Sequence, residues 1–384
     1  MRPLYIAEFY QSLHFTNTGI TDCDLFNTEN LSSSKFGEIK NLQTQKQYKR
    51  KNRTKLIIYD LINQLVKDTG LDKQYFKEVG SKCHLSFATS VGTNFNLMKY
   101  IEKKREGKMK PDLLPNMVCD LTNIFRTEME IKGGYAINSS ACTAGGTAIG
   151  IAMSKIRSGR ADMVVACAVD PITEFSTYGF YSLNNMSKSI CRPFNKERDG
   201  LTLGEGGAIF LLEEYEHAKN RDAKIYCELL GYGIGNDAYH ATSPDPTGEG
   251  ALRTLKMAVE EAGINIEDID YINTHGTGTK HNDEMEFEMI KKLNIQGKHL
   301  FVNSIKSYVG HCLGAAAGVE LVASILTMVN GEIFATYGLE EEIEDISFVE
   351  VVKGESKKAE VNYAISNSYA FAGNTTSLLL GKCS

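Results

Sequence analysis

Three short segments of the chain place a reactive side chain among small residues. Cys142 lies in Ser-Ser-Ala-Cys-Thr-Ala-Gly-Gly, His275 in Asn-Thr-His-Gly-Thr-Gly-Thr, and His311 in Ser-Tyr-Val-Gly-His-Cys-Leu-Gly. A cysteine attacks carbonyl carbon as its thiolate, and an imidazole can exchange or hydrogen-bond a proton near neutral pH. The small neighbours leave room for a substrate to approach. Together the three residues predict a nucleophilic site at which the Cys142 thiolate attacks a carbonyl carbon.

Each of these residues also has an ordinary structural interpretation. A free cysteine is commonly a small buried hydrophobe, and a histidine after a strand can simply hydrogen-bond the backbone. The loop that follows His275 favours function, because the hydroxyls of Thr277 and Thr279 suit an extended, amide-rich ligand. Lys306, five residues before His311, is a further candidate because it lies between an apolar residue and a glycine-histidine turn.

Strand and helix patterns alternate around these residues. Apolar periodicity predicts strands over 135–141, 163–169, 207–212, 225–230 and 269–273, and helices over 56–70, 142–158, 213–220 and 252–263. This alternation predicts an α/β architecture with mainly parallel sheets, because right-handed crossovers return each strand beside its predecessor. Cys142 would then open a helix, whose positive N-terminal end favours the thiolate.

The composition is that of a globular protein large enough for two structural halves. The chain has 384 residues, of which 42% are hydrophobic and 23% charged, and a net charge of −6 argues against nucleic acid as a partner. Nine scattered cysteines lack the spacing of a zinc site and indicate a reducing compartment. With no signal peptide and no run of eighteen apolar residues, we expect a cytoplasmic protein without a membrane span or a bound metal.

The segments together resemble the β-ketoacyl synthases, most closely the elongating type with one cysteine and two histidines. The resemblance extends from about Phe9 to the end of the chain. Besides the three motifs it rests on the following segments: 192–195 (Arg-Pro-Phe-Asn), 198–200 (Arg-Asp-Gly), 203–206 (Leu-Gly-Glu-Gly), 237–240 (Asp-Ala-Tyr-His), 282–283 with Glu286, and 367–374 (Asn-Ser-Tyr-Ala-Phe-Ala-Gly-Asn).

The resemblance implies a thiolase-like fold of five layers, αβαβα, built from two related halves. We expect residues 1–222 to form the half that carries the nucleophile and 223–384 the half that carries both histidines. The enzyme would transfer an acyl group from acyl carrier protein to Cys142 and condense it with malonyl carrier protein, giving 3-oxoacyl carrier protein. The acyl groups would be carried on phosphopantetheine with no permanently bound cofactor, and the enzyme would form a homodimer or a heterodimer with a ketosynthase-like partner.

The resemblance also assigns roles at the reacting centre. Backbone N–H groups of Cys142 and Phe371 would hold the thioester oxygen. His275 and His311, if neutral with the proton on Nε2, would stabilise the enolate formed on decarboxylation. Lys306 would keep His311 neutral.

The remaining assignments concern residues around this centre. Glu286 would hold Lys306 in place, with Asp283 in the same supporting motif. Thr277 and Thr279 would hydrogen-bond the pantetheine arm. Phe95 would line the acyl pocket, and its large ring would restrict the enzyme to short or medium chains.

Two departures from the family pattern bear on these expectations. The family begins with a strand and a glycine-bearing turn before the helix that here starts near Glu8, and that strand is not recognisable. The glycine-rich loop of the family reads Ala370-Phe371-Ala372-Gly373 in this chain, which reduces backbone freedom.

Two other functions are considered. A coenzyme A-dependent thiolase would require a second cysteine where Phe371-Ala372-Gly373 stands, and Cys383 lies too far along the chain. A non-catalytic chain-length partner of a heterodimeric synthase is disfavoured by Cys142, His275 and His311. The missing first strand keeps that second alternative open, because a weakened fold could depend on a partner chain.

Overall fold

The chain alternates helices with strands, as the apolar periodicity predicts. The computed structural model describes residues 6–40, 42, 53–92, 94, 97–108, 118–293, 295, 300–343 and 348–383. The helices are α1 (Ile6–His14), α2 (Arg53–Thr69), α3 (Lys73–Val79), α4 (Leu97–Arg105), α5 (Val118–Met129), α6 (Ala144–Arg157), α7 (Glu174–Ser182), α8 (Tyr215–Asn220), α9 (Glu249–Ala262), α10 (Lys280–Lys291), α11 (Lys306–Val309) and α12 (Ala316–Asn330). The strands are β1 (Thr21–Asp22), β2 (Lys35–Phe36), β3 (Cys83–Ala88), β4 (Tyr135–Asn138), β5 (Met163–Asp170), β6 (Gly206–Glu213), β7 (Glu228–Asn236), β8 (Tyr271–Asn273), β9 (Phe301–Asn303), β10 (Glu332–Ile333), β11 (Glu350–Val351), β12 (Lys357–Lys358), β13 (Tyr363–Tyr369) and β14 (Asn374–Gly381).

Two main sheets form the frame of the molecule. The first sheet has the strand order β4-β3-β5-β6, and the second has the order β11-β9-β8-β13-β14-β7. In the first sheet β4, β3 and β5 run parallel, and β6 is antiparallel to β5. In the second sheet β11, β9, β8 and β13 run parallel, β14 is antiparallel to β13, and β7 is antiparallel to β14. The expectation of mainly parallel sheets is therefore confirmed.

Helices cover both faces of both sheets and give five layers. Helices α6 and α12 lie between the sheets and contact each other, α2 and α5 pack on the outer face of the first sheet, and α9 and α10 pack on the outer face of the second. One apolar cluster fills the outer helix–sheet interface of each half, and a third surrounds the central helices and contacts both sheets. The αβαβα arrangement expected from the sequence is confirmed.

The largest difference between a predicted and an observed element concerns the bounds of one strand. The sequence predicts a strand over 225–230 followed by a glycine turn, whereas β7 runs through those glycines to Asn236. A Cβ atom on Gly231 would lie 2.0 Å from the Ala258 carbonyl oxygen, and one on Gly233 would lie 1.9 Å from the Thr254 oxygen. These glycines therefore allow the strand to lie directly against α9, and their spacing reflects packing instead of a turn.

The two sheets repeat one topology, except at one edge. The order β9-β8-β13-β14 in the second sheet matches β4-β3-β5-β6 in the first, with the same directions. The second sheet then continues with β7 beside β14, whereas β5 is the only strand paired with β6 in the described part of the chain. The strand that the sequence analysis could not recognise thus has no counterpart among the described residues.

One helical segment is long and apolar enough to cross a membrane by length and composition. It covers Leu313–Asn330, with a mean hydropathy of 1.6, and 72% of it is buried within the protein. The segment contains α12, whose position between the sheets accounts for its apolar composition.

Candidate active site

Cys142, His275 and His311 each follow a parallel strand at its carboxyl end. Cys142 comes four residues after β4 and immediately before α6, and His311 comes after β9 and before α12. Because β4 and β9 are equivalent strands of the two sheets, α6 and α12 meet in the middle layer with their N-termini close together. Because the two halves repeat the same topology, the Cys142 thiol and the His311 imidazole lie close together.

The three side chains converge as the sequence predicts. Nε2 of His311 lies 3.1 Å from Sγ of Cys142, and the ring centroids of His275 and His311 are 5.2 Å apart. All three residues are at least 93% buried. The turn that presents the thiol is sharp, since Ala141 has a φ of 49°. The geometry supports chemistry in which a sulfur and two imidazoles act on one substrate.

Burial changes the expected electrostatics of the thiol. The sequence predicts a thiolate favoured by a helix N-terminus, but burial raises the pKa of Cys142 to about 12, against the opposing effect of the Lys306 charge. Burial also lowers the pKa values of His275 and His311 well below the usual value, and the Lys306 charge adds to this effect. The resting pair of Cys142 and His311 is therefore a neutral thiol beside a neutral imidazole.

Lys306 contacts His275 and a carboxylate that the sequence analysis did not identify. Its Nζ lies 3.2 Å from Nδ1 of His275 and also donates to the His275 carbonyl oxygen. Its ion-pair partner is Glu320 of α12, so the expectation that Glu286 holds Lys306 is wrong. Lys306 and Glu320 are both at least 98% buried, which requires that they compensate each other's charge.

Glu286 instead fixes the backbone of the His275 loop. Its carboxylate accepts hydrogen bonds from the backbone N–H of His275 at 2.7 Å and of Gly276 at 2.5 Å. Both N–H groups come directly after β8, and α10 carries the carboxylate to them. Glu286 thereby fixes the backbone that carries the His275 ring.

Asp283, one turn earlier on α10, binds the backbone of two loops, one containing Phe194 and one containing Gly278. It accepts from the backbone N–H of Gly278 at 3.2 Å and of Phe194 at 2.9 Å, and Arg198 lies 3.6 Å from it. Burial raises the pKa values of Asp283 to about 6 and of Glu286 to about 8. Asp283 therefore supports the loop after His275, whereas Glu286 supports the His275 backbone and not Lys306.

The other predicted residues have different outcomes. Thr277 is buried, and its hydroxyl lies 2.8 Å from that of Thr279 in the loop after His275. The ring of Phe371 is half-buried and stacks on Phe180 with a centroid distance of 5.4 Å. Phe95 lies outside the described residues.

The alanine-containing loop keeps the conformation of a glycine loop. Ala372 has φ 61° and ψ 22°, a left-handed conformation that costs an L-residue about 1–2 kcal/mol. Its backbone N–H donates to the Ala241 carbonyl oxygen at 2.8 Å, which holds the strained turn in place. The alanines thus preserve the loop's path at a cost in stability.

Replacing Ala372 with glycine is expected to increase the free energy of unfolding by about 0.5–1 kcal/mol, because relief of strain exceeds the entropy that glycine adds to the unfolded chain. Chemical denaturation measures the change. Ala370→Gly is the matched control in the same loop, since Ala370 is extended with a φ of −140° and has no such strain to relieve. Equal effects of the two substitutions would contradict the argument.

Three residues near the site were missed by the sequence analysis. Asp170 at the end of β5 accepts hydrogen bonds from the backbone N–H groups of Ser90, Val91 and Gly314, and so joins loops from both halves. Glu320 is a single acid within an apolar helix. Both carried a signal, because a lone carboxylate in a buried element is rarely without a partner. Phe180 carried no recognisable signal.

Comparison with known proteins finds similarity to β-ketoacyl synthases over most of the chain. Residues 34–218 match the sequence model described as "Beta-ketoacyl synthase, N-terminal domain", and residues 226–340 match "Beta-ketoacyl synthase, C-terminal domain". A 3-oxoacyl-[acyl-carrier-protein] synthase 2 of Vibrio cholerae is 32% identical over 400 residues, covering 97% of this chain and 94% of the relative.

Solved structures agree with the sequence comparisons. "The ishigamide ketosynthase/chain length factor" superposes with a TM-score of 0.91 at 28% identity, covering 98% of this chain and 95% of that one. A type II polyketide synthase acyl-carrier protein in complex with its ketosynthase has a TM-score of 0.88 at 26% identity, covering 99% and 96%.

Proposed function

The chain belongs to the β-ketoacyl synthase family. From that premise we propose which residue acts in each half-reaction. The protein is a 3-oxoacyl-[acyl carrier protein] synthase of fatty acid or polyketide biosynthesis. It joins an acyl thioester to malonyl carrier protein with loss of carbon dioxide. Its substrates are carried on acyl carrier protein.

In the first half-reaction, Cys142 takes the acyl group from the carrier's phosphopantetheine thiol. As Sγ bonds to the carbonyl carbon, the thiol proton passes to Nε2 of His311, which lies 3.1 Å away, and is then returned to the departing pantetheine sulfur. The thiol and imidazole are neutral before and after this step. Backbone N–H groups of Cys142 and Phe371 hold the carbonyl oxygen while it carries negative charge.

In the second half-reaction, His275 stabilises the enolate of the malonyl group. A lysine side chain is only a donor, so the contact from Lys306 makes Nδ1 of His275 an acceptor and leaves the ring proton on Nε2. That proton hydrogen-bonds the malonyl thioester oxygen as carbon dioxide leaves, and His311 assists after its ring proton has moved from Nδ1 to Nε2. The new carbanion attacks the acyl thioester, and Cys142 leaves as a thiolate that regains a proton from solvent.

The main support for this proposal is the geometry of three side chains. Cys142 lies within hydrogen-bonding distance of His311, and the His311 ring contacts the His275 ring. The test is formation of 3-oxoacyl carrier protein from malonyl carrier protein and a panel of acyl carrier proteins, followed by mass spectrometry. Wild type is expected to turn over, and Cys142→Ala is expected to give no product above the uncatalysed background. Equal turnover by both proteins would contradict the proposal.

We propose that Phe180 restricts the acyl chain to short or medium lengths. Its ring stacks on Phe371 and lies edge-on to His311 with a centroid distance of 6.5 Å, so it occupies space beside the His311 ring. Phe180→Ala is expected to raise the acylation rate with lauroyl carrier protein relative to butanoyl carrier protein by about tenfold. Phe175→Ala, which removes an exposed ring of the same helix, is the control. An unchanged ratio in Phe180→Ala would remove Phe180 as a determinant.

We further propose that the two halves comprise residues 1–222 and 223–384 and that the protein is a cytoplasmic homodimer. The separate sheets and the limits of the two matched family domains support the division. At the β4 edge of the first sheet, Tyr135 and Ile137 are 55% and 40% exposed, which supports dimerisation through that edge. Sedimentation equilibrium tests the dimer, and Ile137→Arg is expected to weaken it.

A second candidate is pairing with a chain-length partner in a heterodimer. Structures of ketosynthases with chain length factors are among the similar proteins, which favours this arrangement. A catalytic subunit in such a pair would keep the chemistry proposed for Cys142, whereas a non-catalytic partner would not be acylated. Purification of the protein with an untagged ketosynthase-like chain distinguishes heterodimer from homodimer.

A further inference from the structure

A buried carboxylate lies where the loops beside Cys142 and His311 meet. Asp170 ends β5 and is fully buried. Its carboxylate accepts hydrogen bonds from four neutral donors: the Thr89 hydroxyl at 2.6 Å and the backbone N–H groups of Ser90 at 2.9 Å, Val91 at 2.8 Å and Gly314 at 2.7 Å. Because each of these donors is neutral, the bonds fix the positions of the loops and compensate no charge.

The first of these loops follows β3 and supports the turn that presents the thiol. The Ser90 hydroxyl donates to the Ala141 carbonyl oxygen at 2.9 Å, and Ala141 directly precedes Cys142. Ala141 has a φ of 49°, a left-handed conformation that is strained in an L-residue and persists only where surrounding contacts hold it. Through Ser90, Asp170 therefore holds the turn that carries the thiol.

The second loop carries His311 and has a turn of the same kind. Leu313, two residues after His311, has a φ of 51° and begins the short helical turn before α12. Gly314 donates its N–H to Asp170, and a Cβ on Gly314 would lie 2.6 Å from Oδ2 of Asp170 and 2.5 Å from the Ser90 hydroxyl oxygen. The two loops are thus in direct contact at the carboxylate, and a side chain at this glycine would separate them.

The charge of Asp170 does not favour the chemistry of the thiol. Burial is the main cause of the raised pKa of Cys142, and the negative charge of Asp170 raises that pKa further. Activation of the thiol by this charge is therefore excluded as its role. What Asp170 contributes is the geometry of two loops, across which Sγ of Cys142 lies 3.1 Å from Nε2 of His311.

We propose that Asp170 is a positioning residue that sets the distance between the Cys142 thiol and the His311 imidazole. It binds the loop that supports the thiol turn and the backbone that follows the imidazole. The proton can then pass from sulfur to Nε2 as the thiol attacks. This role rests on the proposed function, in which His311 receives the thiol proton.

Alkylation of Cys142 by iodoacetamide at neutral pH tests the role without a carrier protein. Since the pKa of Cys142 is about 12, little thiolate is present, and the rate reports how readily the thiol loses its proton to His311. Asp170→Asn keeps the shape of the side chain but replaces one acceptor oxygen with an NH2 group, which cannot accept from the N–H groups now bound. We expect alkylation to be at least about tenfold slower, because proton transfer is sensitive to small displacements.

The direction of the change distinguishes positioning from two other roles. Loss of a nearby negative charge, or a loosened fold that exposes Cys142, would each lower the pKa of the thiol and speed alkylation. In a His311→Ala background, Asp170→Asn should not slow alkylation further, because no imidazole remains to be positioned. Alkylation of Asp170→Asn as fast as wild type, or slowed equally in both backgrounds, would overturn the proposal.

Ser90→Ala tests the same link without changing a buried charge. It removes the bond to Ala141 and leaves the backbone bond to Asp170, so we expect alkylation to slow by about three- to fivefold. Ser86→Ala is the matched control on the preceding strand. The Ser86 hydroxyl donates to the Ala148 carbonyl oxygen within α6 at 2.7 Å, away from the thiol turn, and its loss should leave alkylation unchanged. Equal effects of the two substitutions would overturn the proposal.

Acylation by acyl carrier protein, measured on the same variants, separates this role from the reaction itself. Asp170→Asn is expected to be acylated at least about tenfold more slowly than wild type. Equal acylation rates of the two proteins would contradict the positioning role alone. A wild-type protein whose alkylation depends on His311 but which is not acylated would contradict the proposed reaction alone.

Discussion

Replacing His275 with alanine is expected to lower the rate of condensation by about 10²- to 10³-fold while Cys142 is still acylated at a rate close to wild type. The reason is that the Nε2 proton of His275 is needed when the enolate forms, whereas acyl transfer to sulfur uses His311, which lies 3.1 Å from the thiol. Single-turnover measurements with acyl carrier protein alone, and then with malonyl carrier protein, separate the two steps.

A matched histidine makes this experiment selective. His281→Ala removes an exposed imidazole six residues away in the same region and should affect neither step. His311→Ala should slow both steps, because His311 takes part in each. Loss of acylation and condensation to the same extent in His275→Ala would show that the ring is required for the structure of the site or for the first step.

Replacing Lys306 with methionine is expected to lower the free energy of unfolding by about 3–5 kcal/mol and to abolish most condensation. The loss of stability follows because Glu320, 98% buried, would keep a carboxylate without its cation. The loss of condensation follows because Nδ1 of His275 would lose the donor that fixes its tautomer. Chemical denaturation and single-turnover kinetics measure the two effects.

A double variant separates stability from catalysis. Lys306→Met with Glu320→Gln removes both charges and is expected to recover at least half of the lost stability, because no uncompensated charge remains. Condensation should stay low, because the donor to His275 is still absent. Recovery of condensation together with stability would show that Lys306 acts only through folding.

Much of the site could be predicted from the sequence because its parts are local. Each motif places its side chain after a parallel strand among small residues, and a strand followed by a helix leads to the same edge of a sheet in both halves. The convergence of Cys142 and His311 then follows from the repeated topology. The helices α2, α6, α8 and α9 and the strands β4, β5, β6 and β8 were also predicted, because their apolar periodicity is strong.

The remaining features depend on contacts between distant parts of the chain. The resemblance to the family assigned Glu286 to Lys306, but the Glu286 carboxylate accepts from two backbone N–H groups, and Glu320 of α12 is the partner of Lys306. The pKa of Cys142 was misjudged because the sequence shows the helix terminus but not the depth of burial. The glycines of β7 resemble a turn until the close approach of α9 is known.

The most direct test of the account is to locate the acyl group after incubation with acyl carrier protein alone. The wild-type protein is digested, and each of the nine cysteines is examined by peptide mass spectrometry. A single adduct on Cys142, absent from Cys142→Ala and accumulating in His275→Ala when malonyl carrier protein is added, is the expected result. An unmodified Cys142, or an acyl group on another cysteine at equal yield, would contradict the central claim.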